Sequence, residues 1–277
     1  MTTQSFHEAY RRYMVSFSVP DLQEINAIGV KFVHHGETPP PQAAPLDMAY
    51  TWCYAVKQAS KGEVPLVNRD SVGCVMAGIA LGLVDEDDTE PLPGWRQYSQ
   101  NMGEAPAPAD YSAGRVFACA AAAQPQFALY GADDPGRFRT VEAAQRAFAE
   151  MPKIQPACMD AVVAFPPDEA TSDITPDVVL LIASPREIMR TIQGLVYATG
   201  QRFEVSTLGV AGFCVDLVAK PYVTGEPNAS FLCVGARAIA RWEGGLCGLG
   251  LPWQVFLDTV DQMEESVNGY PFQKYPA

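Results

Sequence analysis

The spacing of apolar and polar residues divides the chain into segments of two periods. "SFHEAYRRYMVSFSV" repeats its apolar residues at helical spacing, is followed by Pro20, and reads as an amphipathic helix. "EINAIGVKFVHHG" is enriched in Ile, Val and Phe, ends at Gly36, and reads as a strand. A proline-rich loop, "ETPPPQAAPLD", leads to Asp47 as N-cap of the helix "MAYTWCYAVKQASKG", which Gly62 stops. Cys53 then falls in the second turn of that helix. Cys74 immediately precedes a helix of small residues, "VMAGIALGL".

Further along, "TVEAAQRAFAEM" has Thr140 as N-cap, Glu142 in its first turn and Pro152 as its stop, which predicts a helix. "DAVVAF" and "DVVLLIA" predict strands, the second buried on both faces. Ser184 and Pro185 open the helix "REIMRTIQGLVYATG", and Gly200 closes it. "GFCVDLVAKPYVTG" reads as a strand with Pro221 near its end. "NASFLCVGARAIARWEGG" carries Cys233 and a short helix or turn. "LCGLGLP" is a glycine-rich approach to Cys247, and "WQVFLDTVDQMEESV" is a closing amphipathic helix.

The acidic run Asp85–Glu90 reads as a solvated loop, and Pro, Gly and Ala dominate the stretch to Ala113. "GRVFACAAAAQPQFAL" fits strand or helix. Together these elements predict one α+β domain over residues 1–277, a mixed sheet with flanking helices and a loop-rich middle at about 85–113. Two weakly similar halves are one reading of a recurring order, and coincidence is the other. Cys53, Gly62–Glu63 and Cys74 recur in order as Cys214, Gly225–Glu226 and Cys233.

Composition removes several classes of function. With 48% apolar and 18% charged residues the chain is an ordinary folded one. A formal net charge of −13 repels nucleic-acid phosphates and anionic membranes, so neither is an expected partner. The aliphatic run Val178–Ala183 is far too short for a membrane span. The opening residues lack the apolar run and cleavage site of a signal peptide, which points to the cytoplasm. There thiols stay reduced, and seven irregularly spaced cysteines do not make a disulfide framework.

The chemistry therefore turns on whether any sulfur sits where a thiolate is stabilised. Cys74 and Cys233 each precede a helical pattern, where unpaired N–H groups favour an anion. Gly73, Gly78 and Gly82 around Cys74, Gly235 and Ala236 after Cys233, and Gly245, Gly248 and Gly250 around Cys247 leave room beside each sulfur. Thiolates, backbone donors and room are what an iron–sulfur cluster needs. Cys53, beside Trp52 and Tyr54, offers a third ligand, and Cys247 or Cys214 a fourth. Arg237, one turn past Cys233, is placed to face the same site or to form a salt bridge. Against this, reduced cysteine is often a small buried hydrophobe. Cys119 and Cys158 read that way, and so does Cys214 if its strand forms.

No pair of cysteines has the C-x₂-C spacing of a zinc ribbon or ferredoxin, and the chain has only three histidines. His34 or His35 with Cys53 is the available nucleophilic pairing, without a cysteine-hydrolase signature. Neither G-x-G-x-x-G after a strand nor a G-x-x-x-x-G-K-S/T loop is present, so nucleotide binding has no support.

The order "IGVKF", "CYAVKQASKGEVPL", "GCVMAGIALGL", "PDVVLLIASPREIMRTIQGLVYATG", "FLCVGAR" and "LGLPW" resembles domain-of-unknown-function family 169. That family occurs in bacteria and archaea, many of them anaerobes, and the resemblance runs from Ile25 to Met263. It implies a single α+β unit and marks Cys53, Cys74 and Cys233 as motif positions, with no established activity. The Cys247 segment departs from the family pattern, in which a polar or acidic stretch precedes the P-W/F element.

The resulting expectation is a cytoplasmic iron–sulfur protein holding one 4Fe–4S cluster, with Cys53, Cys74 and Cys233 as metal ligands. Three ligands and an open iron would suit dehydration or sulfur transfer on a small molecule. Four would suit electron transfer or sensing with a redox partner protein. The alternative is a cluster-free module that binds a small ligand and keeps its cysteines for packing.

Overall fold

Strand β1 (Asn26–His34) buries side chains on both of its faces, Ile28, Val30 and Phe32 on one and Ala27 and Val33 on the other. A strand so patterned belongs in the middle of a sheet covered on both sides. The computed structural model of the chain describes residues 4–17, 25–88, 93, 137–156 and 158–266. In it β1 is joined by β2 (Ala44–Pro45), β3 (Pro65–Asn68), β4 (Met159–Phe165), β5 (Val178–Ala183), β6 (Asn228–Ser230) and β7 (Cys247–Pro252). They form one mixed sheet in the order β2-β3-β4-β1-β5-β7-β6, parallel at β2/β3 and antiparallel at the other pairings.

Helices flank both faces, and the fold is α+β. On one side α1 (Phe6–Val15), α5 (Pro185–Leu195) and α7 (Trp253–Ser266) pack on Phe165, Val179, Leu181, Leu249 and Leu251. A capping box between Ser5 and Glu8 starts α1, and Arg12 reaches Asp261 and Glu264 of α7 at 2.6 and 2.5 Å. The opposite side carries α2 (Trp52–Ala59), α3 (Val75–Ala80) and α4 (Val141–Ala149). With them lie two π-helical segments, π1 (Gly212–Ala219), continuing into α6 (Lys220–Thr224), and π2 (Gly235–Ile239).

The two halves of the chain build the same unit on this second side. A helix carrying a cysteine, α2 or π1–α6, ends near a glycine with positive φ, Gly62 or Gly225, followed by glutamate. A short outer strand follows, β3 or β6, and then Cys74 or Cys233 leads into α3 or π2. Each outer strand pairs antiparallel with the last strand of its half, β4 or β7, which pairs antiparallel with the first, β1 or β5. The β1/β5 ladder matches Asn26 with Ile182 and Val30 with Val178, so the two units are related by an approximate two-fold between those strands.

Several local expectations change. Residues 212–224 are helical rather than extended: π1 is apolar and buried on every side, so its sequence carries no helical stripe to distinguish it from a buried strand. "LCGLGLP" is strand β7, whose Gly248 and Gly250 lie against Leu217 of π1; a Cβ on Gly250 would stand 2.0 Å from the Leu217 carbonyl oxygen. Thr51, not Asp47, caps α2, which places Cys53 in its first turn. α5 ends at Leu195, ahead of Gly200. Most of the loop-rich middle and the segment with Cys119 lie outside the described residues.

Candidate functional site

α2 begins where the Thr51 hydroxyl accepts the Tyr54 N–H at 3.3 Å, and this sets Cys53 on the buried side of the helix. Cys74 is itself the N-cap residue of α3 and half-buried. Cys214 lies in the first turn of π1, with its thiol 3.6 Å from the Ala211 carbonyl. Cys233 follows Leu232, whose φ is +68°, and leads into π2. All four belong to or pack on the same hydrophobic cluster, on one face of the sheet where the two units meet.

The sulfurs sense one another. The Cys53 thiol donates to Cys233, and the Coulombic influence of Cys214 and Cys74 also reaches Cys53. Cys214 in turn feels Cys74 and Cys233. Cys233 is brought down to about 6 by the Cys53 hydrogen bond and, against the cost of burial, by the backbone N–H groups of Ala236, Gly212 and Phe213. Ala211, at φ +57°, turns the chain ahead of Gly212 and Phe213, so consecutive N–H groups form an anion-holding concavity. The Cys53 and Cys214 thiols are pushed far up, the first by its bond to Cys233 and then by burial, the second chiefly by burial. Negative charge is thus favoured on Cys233 and disfavoured on Cys53 and Cys214.

The approach of the two segments is tight. A Cβ on Gly212 would stand 2.8 Å from Ser230 Oγ and 3.1 Å from the Cys233 nitrogen. Holding non-glycine residues Ala211 and Leu232 in the left-handed region costs roughly 1–3 kcal/mol each, which the surrounding packing sustains. Two buried indole N–H groups, on Trp52 beside Cys53 and on Trp242, whose ring lies 5.7 Å from that of Phe213, have no partner among the described residues. Lys57 of α2 stands over the Trp242 ring at 4.1 Å and joins the two units.

The remaining sequence candidates lie elsewhere. Cys247, at the start of β7, packs with the α1, α5 and α7 cluster on the opposite face, its thiol 3.7 Å from the Ala183 carbonyl. Arg237 spends its guanidinium on the carbonyls of Phe231 at 3.0 Å, Leu246 at 2.6 Å and Glu243, closing the loop after Cys233. His34 meets the Tyr222 hydroxyl at 3.2 Å and His35 meets Asp160 at 2.8 Å; neither is among the groups that act on Cys53. Cys158 packs at the edge of the cluster, where burial raises its thiol. Among the described residues no three His, Cys, Asp or Glu side chains are drawn together closely enough for a single metal ion.

The DUF169 family, described as uncharacterised ArCR, matches residues 24–262. The chain belongs to this family. An uncharacterised protein of Methanocaldococcus jannaschii is 30% identical to the DUF169 chain over 129 residues, 47% of this chain and 54% of that relative. The chain thus spans about half the length of the curated relative it matches. No solved structure matches it.

In this DUF169 chain Cys214, which the sequence offered only as one of two possible fourth ligands, packs in the same cluster as Cys53, Cys74 and Cys233. Its signal was the repeated order of cysteine, Gly-Glu and cysteine. Once the halves are superposed in mind, Cys214 is the counterpart of Cys53.

Proposed function

We propose that the chain is an iron–sulfur protein of an anaerobic cytoplasm, holding one 4Fe–4S cluster on Cys53, Cys74, Cys214 and Cys233. The observation that carries this reading is that four cysteines far apart in sequence come together, two from each unit, beside backbone donors. Cys53 and Cys214, held protonated by burial and, at Cys53, by the bond to Cys233, would need the charge of bound iron to ionise.

Such a cluster supplies one-electron transfer, or Lewis-acid activation of a small molecule when one iron lacks a protein ligand. Four cysteines favour transfer or sensing with a redox partner protein. Cys74, the only half-buried member of the set, is the position at which a small molecule would compete. The rival reading, a cluster-free binding module, treats the four sulfurs as core.

Anaerobic purification from iron-replete cells separates the two. The cluster reading predicts brown protein with about four irons per chain, bleached by Cys74→Ser and unaffected by Cys158→Ser. Colourless, iron-free wild type, or equal loss in both variants, overturns it.

A further inference from the structure

Beside the cysteine site lies a cavity of about 130 Å³ between α3, α4 and π1. Its walls are mostly apolar: Met76, Ala147, Phe148, Ala211 and Val215. Met76 is two residues from Cys74, and Val215 adjoins Cys214. The size is close to that of a cavity of about 150 Å³ that binds benzene.

Five polar residues share the lining, Glu150, Ser206, Thr207, Asp216 and Lys220, and of these only Asp216 is buried. Asp216 is 4% exposed, yet it lines the cavity. Its Oδ2 accepts from Thr207 Oγ1 at 2.6 Å and Ser230 Oγ at 2.9 Å. Its Oδ1 receives no hydrogen bond among the described residues. The nearby cation, Lys220, donates to Asn228 Oδ1 at 3.1 Å, and Glu150 is an exposed residue on the α4 side. Asp216 is also tied to the site: Ser230 Oγ, which it holds, accepts the N–H of Leu232 immediately before Cys233.

We propose that this cavity binds a small, mostly apolar molecule carrying one terminal hydrogen-bond donor, such as a phenol or short alcohol, with the donor on Asp216 Oδ1. The apolar walls take the body of the ligand, and the acidic chain disfavours an anion. Its role as a substrate or signal beside the cysteines rests on the cluster reading; its binding does not.

Phenol and toluene, matched in shape and differing in the donor, are the probes, titrated into the full chain by amide chemical-shift perturbation. Phenol is expected to saturate shifts at α4 and π1 and to bind about tenfold tighter than toluene, as a hydrogen bond to a carboxylate warrants. Ala147→Phe, which fills the cavity from α4, is expected to weaken phenol about tenfold or more while the iron content stays that of wild type. No saturable phenol shifts, or equal affinity for phenol and toluene, overturns the proposal without reference to any variant. Iron content measured on the same samples reports on the cluster separately, since phenol binding to iron-free protein would uphold the cavity and reject the cluster.

Discussion

Gly212 shows how closely the site depends on single side chains. Its Cα approaches the Leu232–Cys233 peptide so nearly that a methyl group would stand 3.0 Å from the Leu232 carbonyl carbon. Gly212→Ala must move backbone rather than a flexible tip, and about 1–3 kcal/mol of unfolding free energy is expected to go. Urea denaturation measures it, and if the proposed cluster is held there a fall in bound iron should accompany it, because Gly212 and Phe213 present their N–H groups to Cys233.

The second residue-scale prediction concerns an exposed pair remote from the site. Asp160 is held below the usual carboxylate range by the Gly36 N–H and by His35, and His35 is held above the usual imidazole range by Asp160. The Asp160 contribution is present above about pH 3.9 and is lost as pH falls through the lowered folded value. That of His35 is complete below about pH 6.5 and is lost as pH rises through its raised folded value. Both groups are open to solvent, so the effect on stability is slight and the titration itself is the readout. Asp160→Asn should return the His35 midpoint to about 6.5 by proton NMR; an unmoved midpoint would contradict the pairing.

At the scale of elements, Thr51 links capping to the site. Thr51→Ala removes the bond to the Tyr54 N–H and is expected to cost about 1 kcal/mol. Because the fraying turn contains Cys53, the proposed cluster should also lose iron to a chelator faster than in the wild type. Helices with a stripe and a cap, such as α4 after Thr140 or α5 after Ser184 and Pro185, were legible in the sequence, as were the apolar runs of strands β4 and β5. π1 was not, because a helix buried all round has no polar face to mark its period. Nor was β7: Gly248 and Gly250 weaken a strand pattern, and their purpose appears only when Leu217 packs across them. The same two misreadings left the fourth cysteine of the site open between Cys214 and Cys247. With 212–224 extended, Cys214 looked like a packed residue, and with Cys247 in a glycine-rich approach, it looked like a ligand. The structure instead puts Cys214 with Cys53, Cys74 and Cys233, and Cys247 across the sheet from them.

For the whole molecule, the approximate two-fold between β1 and β5 explains why a site can form from cysteines with no characteristic spacing. Each unit brings one cysteine on a helix and one at the start of the next, and antiparallel pairing of β1 with β5 sets the two units side by side on one face. Proximity is thus a property of the sheet, not of any short motif. Among the described residues no helix is long and apolar enough to cross a membrane. A net charge of −13 favours a basic surface on any redox partner, with association that weakens as salt rises.

The most direct measurement is the iron content of Cys214→Ser and Cys247→Ser, each purified without oxygen beside the wild type. If the sulfurs gathered on one face hold a single cluster, wild type and Cys247→Ser carry about four irons per chain and Cys214→Ser is bleached. Iron retained in Cys214→Ser but lost from Cys247→Ser, or a wild type without iron, would contradict it.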